Sequence, residues 1–188
     1  MNRFILLITG LIFQYIGQAQ NDTIPFQDKL FNMTTLVKTQ HANNKKTISK
    51  QGTAFYFAEF ADSTNTLKET KIWLISNRHV LLPDEKVPDI LSLNFRKIDR
   101  KLNRIIWSES RVTKDYISKH IKLYKEPKID VAALEITSIV SNHFANTSNL
   151  MPISVLTKND FLDKKDEYQP EVGDDILAIG YPKGFYDE

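Results

Sequence analysis

The stretch Lys71–Ser76 reads KIWLIS and is followed at once by the residues NRHV at 77–80. Its four consecutive apolar residues favour a buried β-strand over a helix, because the run is short and rich in β-branched and aromatic side chains. Six more segments have this character: residues 30–39 (LFNMTTLVKT), 52–60 (GTAFYFAEF), 90–96 (ILSLNFR), 104–108 (RIIWS), 120–124 (HIKLY) and 131–136 (VAALEI). So many strands at such close spacing predict an all-β barrel or sandwich.

The connecting segments are polar, and none carries a helical stripe of 12 or more residues. Residues 41–51 and 61–70 are interpreted as hairpin loops. Residues 137–150 (TSIVSNHFANTSNL) are interpreted as a polar linker, and residues 151–156 as a short strand. Near the end of the sequence, a turn signal at 170–173 leads into an apolar strand at 174–180, which would need a partner strand to cover its edge.

The first nineteen residues have the layout of a secretory signal, with Arg3, an apolar run at 4–13 and a small residue, Ala19, at the expected cleavage site. A retained N-terminal anchor is the alternative. We expect a secreted or periplasmic protein with no membrane partner after signal cleavage. The 25 Lys and Arg nearly balance the 23 Asp and Glu, so the net charge of +2 gives no case for a nucleic-acid partner. There is no cysteine, so stability has to come from the hydrophobic core.

Two residues stand where catalytic chemistry could be supported. His79 follows the buried run at 72–75, so its imidazole lies at the end of a rigid element, although a histidine there is more often a surface or capping residue. Asp130 stands at the head of the strand at 131–136, where a carboxylate must be paired or hydrogen-bonded. An imidazole N–H is a suitable partner, and such pairing fixes a catalytic histidine's tautomer.

The other histidines, at 41, 120 and 143, are interpreted as surface residues in a loop, at a strand start and in the linker. No histidine pair has the H-E-x-x-H or H-x-H spacing of a metal site, and without cysteine no thiolate site can form. The sequence therefore predicts no metal and no cofactor.

Four motifs together resemble the trypsin-like serine peptidases of the chymotrypsin fold. They are residues 52–55 (GTAF), 73–80 (WLISNRHV), 129–134 (IDVAAL) and 173–184 (GDDILAIGYPKG), in the family's order and at roughly its separations. The resemblance implies a six-stranded N-terminal β-barrel, with His79 as general base and Asp130 as its orienting acid. In this sequence Asn77 and Arg78 replace the small residues that usually precede the histidine.

The leader and the resemblance together imply a division of the chain into four parts. These are a signal peptide at 1–19, an N-terminal barrel at 20–136, a linker at 137–170, and the start of a largely missing second barrel at 171–188. In the family the nucleophile follows in a G-x-S-G-type turn, but no serine here lies beyond Ser154. Ser138, Ser141, Ser148 and Ser154 are interpreted as polar linker groups.

Three hypotheses follow. The first is an exported serine endopeptidase acting on a protein or peptide substrate, present as a fragment that lacks its nucleophile. The second is a catalytically inactive, peptidase-like binding module. The third is an unrelated exported β-domain with a chance match, which would be favoured if His79 and Asp130 lay far apart. Substrate specificity and oligomeric state stay open.

Overall fold

A computed structural model describes residues 30–43, 46–59, 70–126 and 128–160. These residues form one antiparallel sheet with three short helices, and residues 30–32 are helical as well. The strands are β1 (Thr34–Asn43), β2 (Lys46–Glu59), β3 (Lys71–Ser76), β4 (Ile90–Asp99), β5 (Arg104–Thr113), β6 (Ile121–Leu123) and β7 (Ala132–Glu135). The helices are α1 (Arg78–Leu81), α2 (Lys114–His120) and α3 (Thr137–Asn146), and 3₁₀ turns occur at Pro83–Glu85 and Lys158–Asp160.

The seven strands lie in the order β5-β4-β1-β2-β3-β7-β6, and all neighbours are antiparallel. The prediction of a mainly β fold is therefore confirmed. The sheet is not the closed six-stranded barrel that was expected, because β5 and β6 remain edge strands. Between them the chain leaves the sheet to form α2, whose Ile117 is fully buried in the core. That excursion breaks the pairing that would close a barrel.

The core lies on one face of the sheet, as the alternation in β3 shows. Ile72, Leu74 and Ser76 are buried, whereas Lys71 is exposed and the residues between are half-buried. Period-two burial is what a strand with one covered face produces. The core also takes in Val140 of α3, so this helix packs on the sheet. Within the described residues, no helix is long and apolar enough to cross a membrane.

Several segments differ from their predicted local structure, and the first is residues 30–32, which are helical although a strand was expected over 30–39. Residues 41–51, expected to be a loop, belong mostly to β1 and β2, which pair from Thr34 opposite Phe55 to Asn43 opposite Lys46. The outer part of this hairpin carries polar side chains, so its sequence lacks the apolar alternation that indicates a strand. Residues 137–146 form α3 rather than an irregular linker. The domain boundaries stay predictions, and residues 1–19, 61–69 and 171–188 lie outside the described residues.

The expected short strand at 151–156 is reduced to two isolated bridges, which join the ends of this segment to different strands. Leu150 bridges Lys97 of β4, and Leu156 bridges Phe57 of β2. The backbone N–H of Met151 donates to Arg96 O at 2.8 Å, and that of Ala58 donates to Leu156 O at 2.8 Å. The segment therefore crosses from β4 to β2 and ties their ends together.

Non-glycine residues occupy the left-handed backbone positions of the described chain. Asp84, Glu85, Asn103 and Asn149 have φ between 47° and 60°. Asn and Asp tolerate this region better than most residues, although each such position costs about 1–3 kcal/mol. The described turns at these four positions are thus built without glycine.

Candidate active site

The antiparallel register of β3 and β7 brings His79 and Asp130 together. Ser76, the last residue of β3, lies opposite Ala132, the first residue of β7. The pairing extends one step further, because the backbone N–H of Arg78 donates to Asp130 O at 3.3 Å. His79 follows Arg78 in the first turn of α1, so its side chain meets the Asp130 carboxylate across the end of the strand pair.

The carboxylate of Asp130 accepts hydrogen bonds from three donors. Oδ1 accepts from the backbone N–H of His79 at 3.0 Å. Oδ2 lies 2.5 Å from His79 Nδ1 and accepts from the Asn77 side-chain amide at 3.1 Å. A carboxylate held at both oxygens has a fixed orientation, and it fixes the orientation of the imidazole ring beside it. With Nδ1 directed at Asp130, Nε2 is the ring nitrogen left to act on a substrate or a nucleophile.

These donors lower the pKa of Asp130 below its ordinary value of 3.8. The largest cause is the backbone hydrogen bond from His79, followed among the lowering contributions by the side-chain hydrogen bonds from His79 and Asn77, while burial acts in the opposite direction. Asp130 is therefore a carboxylate at neutral pH. The side chains of His79 and Asp130 are 63% and 45% exposed, so their contact is partly solvated and contributes little to stability.

The helix that carries His79 packs closely on β2. A Cβ atom added to Gly52 would lie 2.7 Å from Val80 Cγ2, so only glycine allows α1 this close to the strand. The Val80 carbonyl also accepts from Thr39 Oγ1 at 3.2 Å. Below the pair, Ser76 Oγ donates to Thr53 O at 2.7 Å and ties β3 to β2. Gly52 and Thr53, in the motif singled out in the sequence, thus pack against α1 and the end of β3, which flank the histidine.

The residue that sequence reasoning missed is Asn77. It was noted only as a departure from the family pattern, whereas its side chain donates to Asp130 Oδ2. Its neighbour Arg78 pairs with Glu85, which follows the helix. Asn77 therefore helps to hold the acid that contacts His79, and Arg78 ties the start of α1 to the turn that follows it. The only sequence signal for this was their position immediately before the histidine.

The remaining histidines lie elsewhere, and their predicted settings change. His41 is in β1 opposite Ile48 rather than in a loop. His120 ends α2 instead of opening a strand, and its ring stacks on Tyr116 at 4.0 Å. His143 is in α3 and is half-buried, since it stacks on Phe95 at 4.5 Å and its Nε2 lies 3.1 Å from Ser108 Oγ. Burial lowers the pKa of His143.

No hydrogen bond joins a serine of the described chain to His79, whose side-chain bond is to Asp130. Ser138 Oγ lies 2.8 Å from Tyr116 OH, and Ser154 is buried, with its backbone N–H bonded to Asn32 O. Ser141 and Ser148 lie in and just after α3. Ser108 does contact a histidine, His143, but no carboxylate of the described residues hydrogen-bonds to that ring. Among the described residues, the histidine oriented by Asp130 thus has no serine hydrogen-bonded to it.

Among the described residues, no group of three or more His, Asp or Glu could hold a metal ion. Comparisons with family models, with curated proteins and with solved structures found no match to this chain. The case for a function therefore depends on the geometry of His79, Asp130 and Asn77.

Proposed function

We propose that this chain carries the general base and the orienting acid of an exported trypsin-like serine endopeptidase, whose nucleophile comes from outside these 188 residues. The observation that carries the proposal is the 2.5 Å contact between His79 Nδ1 and a carboxylate that two further donors hold in place. A chance match between motifs would not require these side chains to meet. The third hypothesis, an unrelated β-domain, would have been favoured if His79 and Asp130 lay far apart, and they lie in contact.

The chemistry assigned to each residue follows from this geometry. With Nδ1–H donating to Asp130, the neutral imidazole keeps a lone pair on Nε2, which accepts the proton of a serine hydroxyl as it attacks a peptide carbonyl. His79 then returns this proton to the leaving amine. Asp130 remains ionised because its pKa is lowered, and it stabilises the imidazolium formed in between. Asn77 keeps the carboxylate in position and takes no part in proton transfer.

The order of the strands supports the proposal that this antiparallel sheet is related to a chymotrypsin-type barrel. The two edge strands, β5 and β6, are consecutive in the chain and are separated only by α2. If these two edge strands paired, the sheet would close into a barrel. The observed strand order is therefore that of a barrel in which a helix, α2, takes the place of the closing strand pair. On this proposal the protein is secreted or periplasmic and its substrate is a protein or peptide.

A binding module is the second candidate, and the surface beside the pair favours it. Leu123, Ile129 and Val131 are large apolar residues that remain exposed close to Asp130. Leu123 lies opposite Ala132, two residues after Asp130. An apolar surface next to exposed hydrogen-bonding groups is suited to holding a peptide, whether or not it is cut.

A fluorophosphonate probe, which reacts with activated serines, distinguishes the two candidates. Applied to the native source, it is expected to label a protein longer than 188 residues. In that protein His79→Ala should abolish labelling, and Asp130→Asn should lower the peptidase kcat about 10⁴-fold. His41→Ala is the matched control, since His41 is a histidine of the same sheet outside this contact, and it should leave labelling unchanged.

Two results would contradict the enzyme. One is a soluble, unlabelled species of this length that binds peptides, which supports the module. The other is a stop codon directly after Glu188 in an intact gene, with no G-x-S-G turn encoded downstream. For the compartment, the N-terminus of the exported protein should be Gln20, and mass spectrometry of the purified protein checks it.

A further inference from the structure

The hairpin formed by β4 and β5 ends in a turn that is held in one conformation. Asp99 Oδ1 accepts the backbone N–H groups of Lys101 at 2.9 Å and Leu102 at 3.2 Å, and Asn103 takes a left-handed φ of 47°. Leu102, at the turn, is 58% exposed. We call residues 96–107 (RKIDRKLNRIIW) the β4–β5 tip.

The outer face of the β4–β5 tip is apolar. The register places Ile98 opposite Ile105 and Arg96 opposite Trp107, so these four side chains share one face. The opposite face of the same strands carries Leu93, Phe95 and Val112, which are buried in the core. Ile98, Ile105 and Trp107 are nevertheless exposed, and together with Leu102 they form an apolar strip along the hairpin.

The β4–β5 tip is also strongly cationic. It carries five cations and one acid, a net charge of +4 in twelve residues, whereas the whole chain has +2. The acid, Asp99, is engaged with the turn amides. Within the described residues, no ion pair involves any of the five cations, which are Arg96, Lys97, Arg100, Lys101 and Arg104.

Arg96 links the charge to the aromatic residues. Its guanidinium lies 4.8 Å from the ring centroid of Phe31 and 5.7 Å from that of Trp107. Such stacking directs the apolar part of the arginine along the face and holds both rings in place. The result is a surface on which aromatic and aliphatic side chains lie among cations.

We propose that the β4–β5 tip docks the protein on an anionic lipid bilayer. Tryptophan and leucine side chains enter the boundary between headgroups and acyl chains, while lysine and arginine bind the lipid phosphates. A nucleic acid would use the cations but would leave the aliphatic strip in water. An acidic protein could use both, and the test below includes it.

This proposal replaces the expectation of no membrane partner after signal cleavage. That expectation came from the predicted cleavage of the signal peptide, which carries the apolar run at 4–13. Peripheral docking needs no membrane-spanning helix. It is independent of the function proposed for His79 and Asp130.

The exported chain, with Trp73→Phe as background so that Trp107 is its only tryptophan, is mixed with vesicles of phosphatidylcholine alone or of phosphatidylcholine with phosphatidylglycerol. We expect it to float with the anionic vesicles only, with a blue shift of Trp107 emission. Binding should fall steeply at about 1 M salt, where the Debye length is about 3 Å.

Two pairs of surface substitutions separate charge from apolar contact. Arg100→Gln with Lys101→Gln should lower the partition coefficient about 30-fold, and Leu102→Ser with Ile105→Ser about 10-fold or more. The matched control, Lys119→Gln with Lys122→Gln, removes two exposed cations, one in α2 and one in the opposite edge strand, β6, and should leave binding unchanged. Circular dichroism confirms that each variant is folded.

Four outcomes would overturn the proposal. The first is no flotation with anionic vesicles. The second is flotation that the control pair weakens as much as the tip substitutions do. The third is Trp107 emission that is already blue and shielded from iodide before lipid is added, which would show that residues 161–188 or another protein chain covers this face. Equal binding to an acidic polypeptide, unaffected by Leu102→Ser with Ile105→Ser, would likewise assign the tip to charge alone.

Discussion

Gly52→Ala tests whether the packing of α1 on β2 positions His79. The added Cβ would lie 2.7 Å and 3.0 Å from the two γ-carbons of Val80, whereas an ordinary carbon–carbon contact is about 3.5–4.0 Å. Val80 is buried and β-branched, so it cannot easily turn aside. Overpacking of this kind costs about 1–3 kcal/mol, and the lower entropy of unfolded alanine offsets about 0.4–1 kcal/mol of it.

The net effect is expected to be a loss of about 1–2 kcal/mol in the free energy of unfolding, measured by urea denaturation. Val80→Ala alone should cost about 1.6 kcal/mol, because two buried methyl groups are lost. In the double variant the new methyl fills part of the vacated space. The loss of stability in the double variant should therefore be smaller than the sum of the two single losses by about 1 kcal/mol. An unchanged midpoint for Gly52→Ala, or additivity within about 0.5 kcal/mol, would refute close packing at this position.

Three further predictions concern the titrating groups. Asn77→Ala should raise the pKa of Asp130 toward its ordinary value, because one hydrogen-bond donor is lost. Carboxyl titration followed by NMR checks this, and an unchanged pKa would contradict the hydrogen bond between Asn77 and Asp130. The lowered pKa of Asp130 contributes stability that is present above pH ~4 and lost as pH falls through the folded-state pKa. In urea denaturation, Asp130→Asn should weaken the dependence of the free energy of unfolding on pH in this acid range. Burial likewise lowers the pKa of His143, so stability should fall as pH drops below ~6.5, and His143→Gln should weaken that dependence.

The β-strands of the core could be predicted because one face of each is buried. The run at 72–75 and the segment at 131–136 carry this signal directly, and both became central strands. The outer half of the β1–β2 hairpin has no such signal, since backbone hydrogen bonds rather than apolar contacts define it. Helix α3 was missed for a related reason, because only Val140 among its ten residues is buried.

The contact between His79 and Asp130 could be anticipated from the sequence only as a resemblance. Which residue of β7 lies opposite Ser76 depends on a register between strands more than fifty residues apart, and no local pattern determines it. The same holds for His143, whose stacking on Phe95 requires α3 to lie across β4. Long-range placement is therefore where the structure adds most to the sequence.

The two surfaces proposed to have functions lie at opposite ends of the sheet. Strand β3 runs toward His79, and its neighbours alternate in direction through β2 and β1 to β4, which runs the other way toward the β4–β5 tip. Docking through the tip would therefore leave His79 facing away from the lipid. Diethylpyrocarbonate, which modifies exposed histidines, should react with His79 at the same rate with and without anionic vesicles. Protection of His79 by vesicles that also shift Trp107 emission would contradict this arrangement, because one rigid sheet cannot press both ends against the same bilayer.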